Sequence, residues 1–327
     1  MTTTPSSSPS AGSPSAGRID VHQHILPPGY REQLIRRGNF AGSGDWPVPE
    51  WSRDGALAMM DDRCIGVGIL SVSAPGVHFG DDAAARELAR AVNDYTAEVV
   101  KDRPDRFGQF ASLPLPDVDG ALTEAARALD ELGADGVVLL SNAGGRYLGA
   151  PEFEPLWAEL DARAAVGHIH PTFLPAPLVP GLPPPVADFP CDTTRTGVHL
   201  TYNGVLRRHP QIRVILSHGG GALPYLAHRI AATGPLARPE LTRDGILEDL
   251  RRFHFDTAMA GGPTSLPALR AFAASGHLHY GSDWPFLPAE QGAYFTGLLD
   301  GFEGWADGEL DAVDRDGAEA LFPRLGR

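Results

Sequence analysis

Arg18-Ile19-Asp20-Val21-His22-Gln23-His24 is a short apolar run that ends on two histidines one residue apart, and three later runs end in the same way. Ala165–His170 stops at His170 before Pro171; Ile212–Ser217 stops at His218; His279–Ser282 stops at Asp283. In a barrel of parallel strands the C-terminal ends meet on one face, where active sites are built. Four separated strand ends, each carrying a metal-type side chain, therefore predict one mononuclear centre on an α/β fold. The fold expected is a (β/α)8 TIM barrel.

The rest of the chain fits that frame. Strand-like and helix-like segments alternate, the signature of βαβ units. Further strands are expected at Val67–Val72, Phe107–Leu113, Gly136–Leu140 and Phe253–Thr257, which brings the count to the eight that a closed barrel needs. Helices are expected at Arg53–Asp62, Asp82–Lys101, Asp117–Leu132 (with Asp117 as N-cap), Glu152–Arg163, Thr193–Arg208, Ala222–Ala231 and Ser265–Ala274. A last helix around Ala318–Leu321 closes the structure. The reading is one domain over residues 18–327. Met1–Gly17, all Thr, Ser, Pro, Ala and Gly after the first residue, is expected to be a disordered tail; it lacks the basic and apolar regions of a signal peptide. Two connections are long, Ile25–Trp51 and Thr172–Asp192. The second is dense in proline and reads as a stiff wall over the site.

Composition removes several functions. The formal net charge is −14, which argues against nucleic acid and anionic membranes, since both need clustered cations. No apolar run reaches the roughly 18 residues of a membrane span. Cys64 and Cys191 form no CxxC pair, which fits two free thiols in a reducing cytoplasm. Lys101 is the only lysine and lies on an expected helix far from any strand end. Schiff-base chemistry and a bridging carboxylated lysine are thereby excluded.

Residues two apart on a strand face the same side, so His22 and His24 can reach one ion. His168-Ile169-His170 repeats the spacing; His170, at the strand end, is the expected ligand, and His168, one pleat deeper, a packed core histidine. His218 precedes Gly219-Gly220-Gly221 and is placed to act as general acid or base. Asp283 is placed to bind the ion or to take a proton from its water. Three imidazoles and a carboxylate suit Zn2+, with Mn2+ as the alternative. Asp20 reads either as a partner of the ligands or as a barrel-bottom residue. Asp256 reads as a buried hydrogen-bonding group, and Trp46, Phe173, Trp284 and Phe286 as ring-binding candidates. The other histidines read as structural, His78 being the nearest to the functional face.

Taken together, Ile19–Tyr30, His168–Pro171, Phe189–Thr196, Gly204–Pro210, Ile215–Tyr225 and Tyr280–Phe286 resemble the metal-dependent amidohydrolase superfamily. They are closest to the branch of aminocarboxymuconate-semialdehyde decarboxylase and the non-oxidative aromatic acid decarboxylases. The resemblance implies His22, His24, His170 and Asp283 as ligands and His218 as the catalytic acid/base. It also implies that Arg229 reaches a carboxylate across a homodimer or larger homo-oligomer. Ala56 and Ala58 stand where the semialdehyde decarboxylase carries substrate-binding arginines, which turns the expectation toward salicylate-type acids. The expected function is decarboxylation of an ortho-hydroxy aromatic acid; the rival is mononuclear hydrolysis of a lactone, ester or amide. A barrel kept as a non-catalytic sensor is the third reading.

Overall fold

The computed structural model describes residues 17–38 and 47–325. Eight parallel strands run in chain order: β1 (Arg18–His24), β2 (Ile65–Ser71), β3 (Phe107–Ser112), β4 (Gly136–Leu140), β5 (Val166–His170), β6 (Arg213–Leu216), β7 (His254–Asp256) and β8 (Leu278–His279). The ring closes through backbone bonds from β1 to the segment after β8. Val21 N–H reaches Tyr280 O at 3.0 Å, Asp283 N–H reaches His22 O at 2.8 Å, and His24 N–H reaches Trp284 O at 2.7 Å. The architecture is the expected (β/α)8 barrel. Most of the tail and Trp46 lie outside the described residues.

The helices form where caps and spacing direct them. Asp81 caps the helix Asp82–Asp102 through Ala84 N–H, and Asp117 caps Val118–Asp130 through Gly120 N–H. Their apolar faces bury Leu88, Val92 and Val99, and Ala121, Ala125 and Ala128, against the barrel wall. Inside the barrel, Phe322 lies at 5.7 Å from the Phe110 ring, and Phe110 stacks on His168 at 5.4 Å with planes 9° apart. A column of rings thus fills the space between the C-terminal segment and the mouth of the barrel. His168 is completely buried in it.

Three expectations need correction. Ile25–Trp51 is not irregular throughout; Pro28–Arg37 is helical, because Pro28 occupies the first turn, where no N–H is needed. For the same reason the helix expected at Thr193–Arg208 starts at Pro184 and continues past Pro190 to Tyr202. Val205–Arg208 forms a separate turn after left-handed Gly204. The proline-dense wall is thus partly the first turns of a helix. Strand β8 leaves the ladder after His279, so Tyr280–Ser282 is extended backbone beside β1 rather than strand.

Candidate metal centre and active site

Strand β1 is not regular where it matters. Asp20 pairs with Gly68 and Gln23 with Leu70, so three steps on β1 oppose two on β2. Such a bulge re-aims side chains near a site. His22 and His24 both turn into the barrel mouth, with their Nε2 atoms 3.1 Å apart. Asp283 Oδ1 lies 3.0 Å from His24 Nε2 and 3.3 Å from His22 Nε2. The His170 ring centre is 4.9 Å from that of His24 and 5.2 Å from that of His22. Donor atoms of His22, His170, His218 and Asp283 all fall within 4.8 Å of one another. The sequence-derived residues of the centre come together, and His218 is as near as the expected ligands.

Their outward nitrogens separate the roles. His22 Nδ1 is 2.8 Å from Asp256 Oδ2, His24 Nδ1 is 3.2 Å from Ser71 O, and His170 Nδ1 is 2.8 Å from Pro171 O. Each partner accepts a proton from Nδ1 and leaves a lone pair on Nε2 facing the centre, which is how ligand histidines are held. Two such lone pairs 3.1 Å apart repel unless positive charge lies between them. The local field favours positive charge at this point. Burial lowers the affinity of His22 for a proton, but the Asp256 and Asp283 carboxylates outweigh this and raise its pKa to about 10. Burial holds His24 below its ordinary value and His170 well below. Burial also pushes the Asp283 carboxyl up, yet the adjoining His218, His22 and His24 rings win and hold it well below the usual carboxylate range. The donor set fits a divalent cation.

His218 is built differently. Its Nδ1 is buried with no partner, and its Nε2 is 3.5 Å from Asp283 Oδ2. No acceptor holds its Nδ1, so the ring is tied only through the long Nε2 contact to Asp283. His218 and Asp283 both have left-handed backbone, φ 54° and 57°, a conformation rare outside glycine and frequent at functional sites.

Asp256 holds this arrangement from below. Its Oδ2 faces His22 Nδ1 and His168 Nε2 (3.1 Å), and its Oδ1 accepts from the N–H groups of His218 (2.9 Å) and Ala258 (3.1 Å). The buried hydrogen-bonding role read from sequence is what it performs, with a reach the sequence did not reveal. Asp20 ties β1 to the Asp283 segment by accepting from His22 N–H and Ser282 N–H, each at 3.0 Å; burial raises its pKa to about 6. Gly281 makes the close approach possible. A Cβ there would lie 2.9 Å from the His22 Cβ and 3.2 Å from the Asp256 Cβ. Gly281→Ala is expected to destabilise the fold by about 1–3 kcal/mol and to weaken metal binding. Thermal unfolding with and without added metal reads both, and an unchanged melting temperature would contradict the crowding argument.

A cavity of about 860 Å³ opens from the centre toward β5–β8. His170, His218 and Asp283 form its polar end; Phe189, Met259, Leu269, Phe286 and Phe295 line its body. Among the described residues, no arginine or lysine lines it. Phe286 meets the His24 ring edge-on at 5.2 Å. Trp284, expected at the substrate, is not among the residues that line this cavity; it packs against the buried cluster that includes Tyr30 and Met60. Phe173 lines a second cavity over β2–β5. His78 sits there too, bonded to Asp82 at 2.8 Å. Arg229 is exposed on the helix Leu223–Ala237 and is absent from the cavity lining within this chain. Ser73, whose Oγ is 3.5 Å from His170 Nε2, and Met259 are cavity residues that sequence reading missed. Ser73 follows β2 directly, the one signal that could have flagged it.

A family model described as amidohydrolase matches residues 19–324. The 6-methylsalicylic acid decarboxylase acuB of Aspergillus aculeatus is 41% identical over 322 residues, covering 95% of this chain and 97% of the relative. A crystal structure described as amidohydrolase II superposes with a TM-score of 0.86 at 34% identity, covering 94% of this chain and 99% of that one. A dihydroxybenzoic acid decarboxylase from Polaromonas, solved with bound manganese and 2-nitroresorcinol, gives a TM-score of 0.79 at 23% identity, covering 96% and 98%.

Proposed function

The chain belongs to the amidohydrolase family, and on that premise we propose that it is a metal-dependent carboxy-lyase acting on a small aromatic acid with a hydroxyl ortho to its carboxylate. The observation that carries this reading is the cavity: one charged corner, then a largely apolar body with no arginine or lysine among its described lining residues. A flat monoanionic acid matches it; a dicarboxylate does not.

His22, His24, His170 and Asp283 would hold a divalent ion, which when bound would neutralise the acid's carboxylate and ortho oxygen. Zinc is the ion proposed from the three-imidazole, one-carboxylate set, with manganese as the alternative. His218 delivers its proton to the ring carbon that bears the carboxylate; the carbon–carbon bond then breaks, its electron pair restores the aromatic ring, and carbon dioxide leaves. A proton from water resets His218. Phe189 and Phe286 bound the ring and, with the apolar lining, keep water from competing for that proton. Arg229 fits this scheme as a group offered to a second subunit: it shares its helix with Tyr225 and Leu236, which are 83% and 85% exposed, a stripe that a homodimer would cover.

A binuclear hydrolase lacks its second-metal bridge here, which leaves the mononuclear hydrolase as the rival. Strand β4 ends in Leu139-Leu140-Ser141-Asn142, and Lys101 is on the outer surface, 75% exposed. No helix among the described residues is long and apolar enough to cross a membrane. The exposed, unpaired Cys64 and Cys191 support a reducing compartment such as the cytoplasm.

The test is to incubate metal-loaded protein with hydroxybenzoic acids and with lactones. Carbon dioxide and the matching phenol are expected from ortho-hydroxy acids, with loss on chelation and recovery on adding zinc or manganese. Acid release from lactones without gas would replace the proposal with its rival.

A further inference from the structure

The cavity wall beside His218 carries information about the substrate that the ligand set does not. Gly219 follows His218 with φ 64°, and a Cβ on it would lie 2.9 Å from the Ala260 Cβ and 3.0 Å from Leu269 Cδ1. The segment after β7 is therefore packed directly against the turn that holds the acid/base. Ser265 Oγ pins that segment by donating to Ala260 O at 2.6 Å, and Ala260 N–H bonds Thr257 O at 2.9 Å. Ala260 is fixed at both polar atoms.

Met259, the residue before it, is the exception. It has left-handed backbone, φ 52°, which costs energy for any residue with a Cβ and persists where the surroundings enforce it. Its side chain faces the catalytic cavity on one side. On the other it borders a small void shared with Tyr280, Leu287 and Phe295. An unbranched thioether between a cavity and a void can yield without disturbing the fixed backbone.

We propose that Met259 sets the size of the ring substituent permitted next to the reacting carbon. The inference rests on the decarboxylase reading above. Protonation by His218 puts the reacting carbon beside the His218–Gly219 turn, so a substituent flanking that carbon meets the Met259–Ala260 wall. Met259 and Ala260 themselves offer no hydrogen-bonding side chain, so this stretch of wall reads a substituent by its size.

The experiment uses 2-hydroxybenzoic acids bearing hydrogen, methyl, ethyl or propyl at position 6, with wild type, Met259→Ala and the volume-matched Met259→Leu. Selectivity is read twice, as dissociation constants by equilibrium dialysis and as kcat/KM from carbon dioxide release. Met259→Ala is expected to raise the propyl-to-methyl ratio by about tenfold or more, whereas Met259→Leu keeps it within about threefold. A ratio unchanged in Met259→Ala by both readouts overturns the assignment. A shifted binding ratio with no carbon dioxide from any protein supports the wall assignment and instead overturns the decarboxylase reading.

Discussion

His218→Ala is expected to lower kcat for decarboxylation by about 10²–10⁴-fold while the protein still binds one divalent ion with near-native affinity. The split follows from the imidazole partners. Each of His22, His24 and His170 has an acceptor on Nδ1 that orients Nε2 as a donor to metal, and His218 has none. An unanchored ring is poor at holding an ion and suited to gaining and losing a proton. Because position 218 has φ 54°, His218→Asn serves as the folding control, since asparagine tolerates the left-handed region. Metal content measured on both variants decides the matter. If alanine empties the site, His218 is a ligand, as its place among donor atoms within 4.8 Å would then signify.

Most of this site could be read from the chain because its parts are local. A strand end is marked by an apolar run and the polar residue that stops it, and a closed barrel brings all such ends to one face. That logic located His22, His24, His170, His218 and Asp283 with no three-dimensional information. It failed where geometry depends on pairing between strands. The bulge between Asp20 and Gln23 is a property of β1 against β2, and alternation alone cannot show it. Asp256 looked like one more buried aspartate, because its four partners come from β1, β5 and the turns after β6 and β7. Trp284 follows Asp283 in sequence, but after the left-handed turn at Asp283 it packs against the cluster around Tyr30 and Met60 and is absent from the cavity lining. Met259 had no sequence signal, since an apolar residue after a strand is ordinary and its positive φ is invisible. Prolines misled in another way. They were read as loop in Pro27-Pro28 and Pro183-Pro184-Pro185, whereas both sets open helices.

Asp256 variants should separate metal binding from stability, and alanine and asparagine are expected to fail differently. Asp256→Ala strips the partner from the His22 and His168 rings and from two backbone N–H groups, all buried. Breaking a buried ionic partnership on one side costs about 3–5 kcal/mol, so its melting temperature should fall steeply even without metal. Asp256→Asn keeps the volume, and its carbonyl can still accept from His218 N–H and Ala258 N–H. Its amide NH2 then occupies the place of Oδ2 and donates toward His22 Nδ1. That forces the proton of His22 onto Nε2, the nitrogen that faces the centre. A protonated Nε2 cannot bind an ion, so metal affinity should drop by about 10–100-fold, the range typical for partners of ligand histidines, with a much smaller loss of stability than in alanine. Competition titration with a chromophoric chelator gives the affinity, and thermal unfolding of metal-free protein gives the stability. Native metal affinity and stability in asparagine, with losses in alanine alone, would mean that Asp256 only fills space. The predicted inversion, alanine worse in stability and asparagine no better in metal binding, would show that the carboxylate's charge and acceptor geometry choose the tautomer of His22. In that case the aspartate that ends β7 controls the metal without touching it.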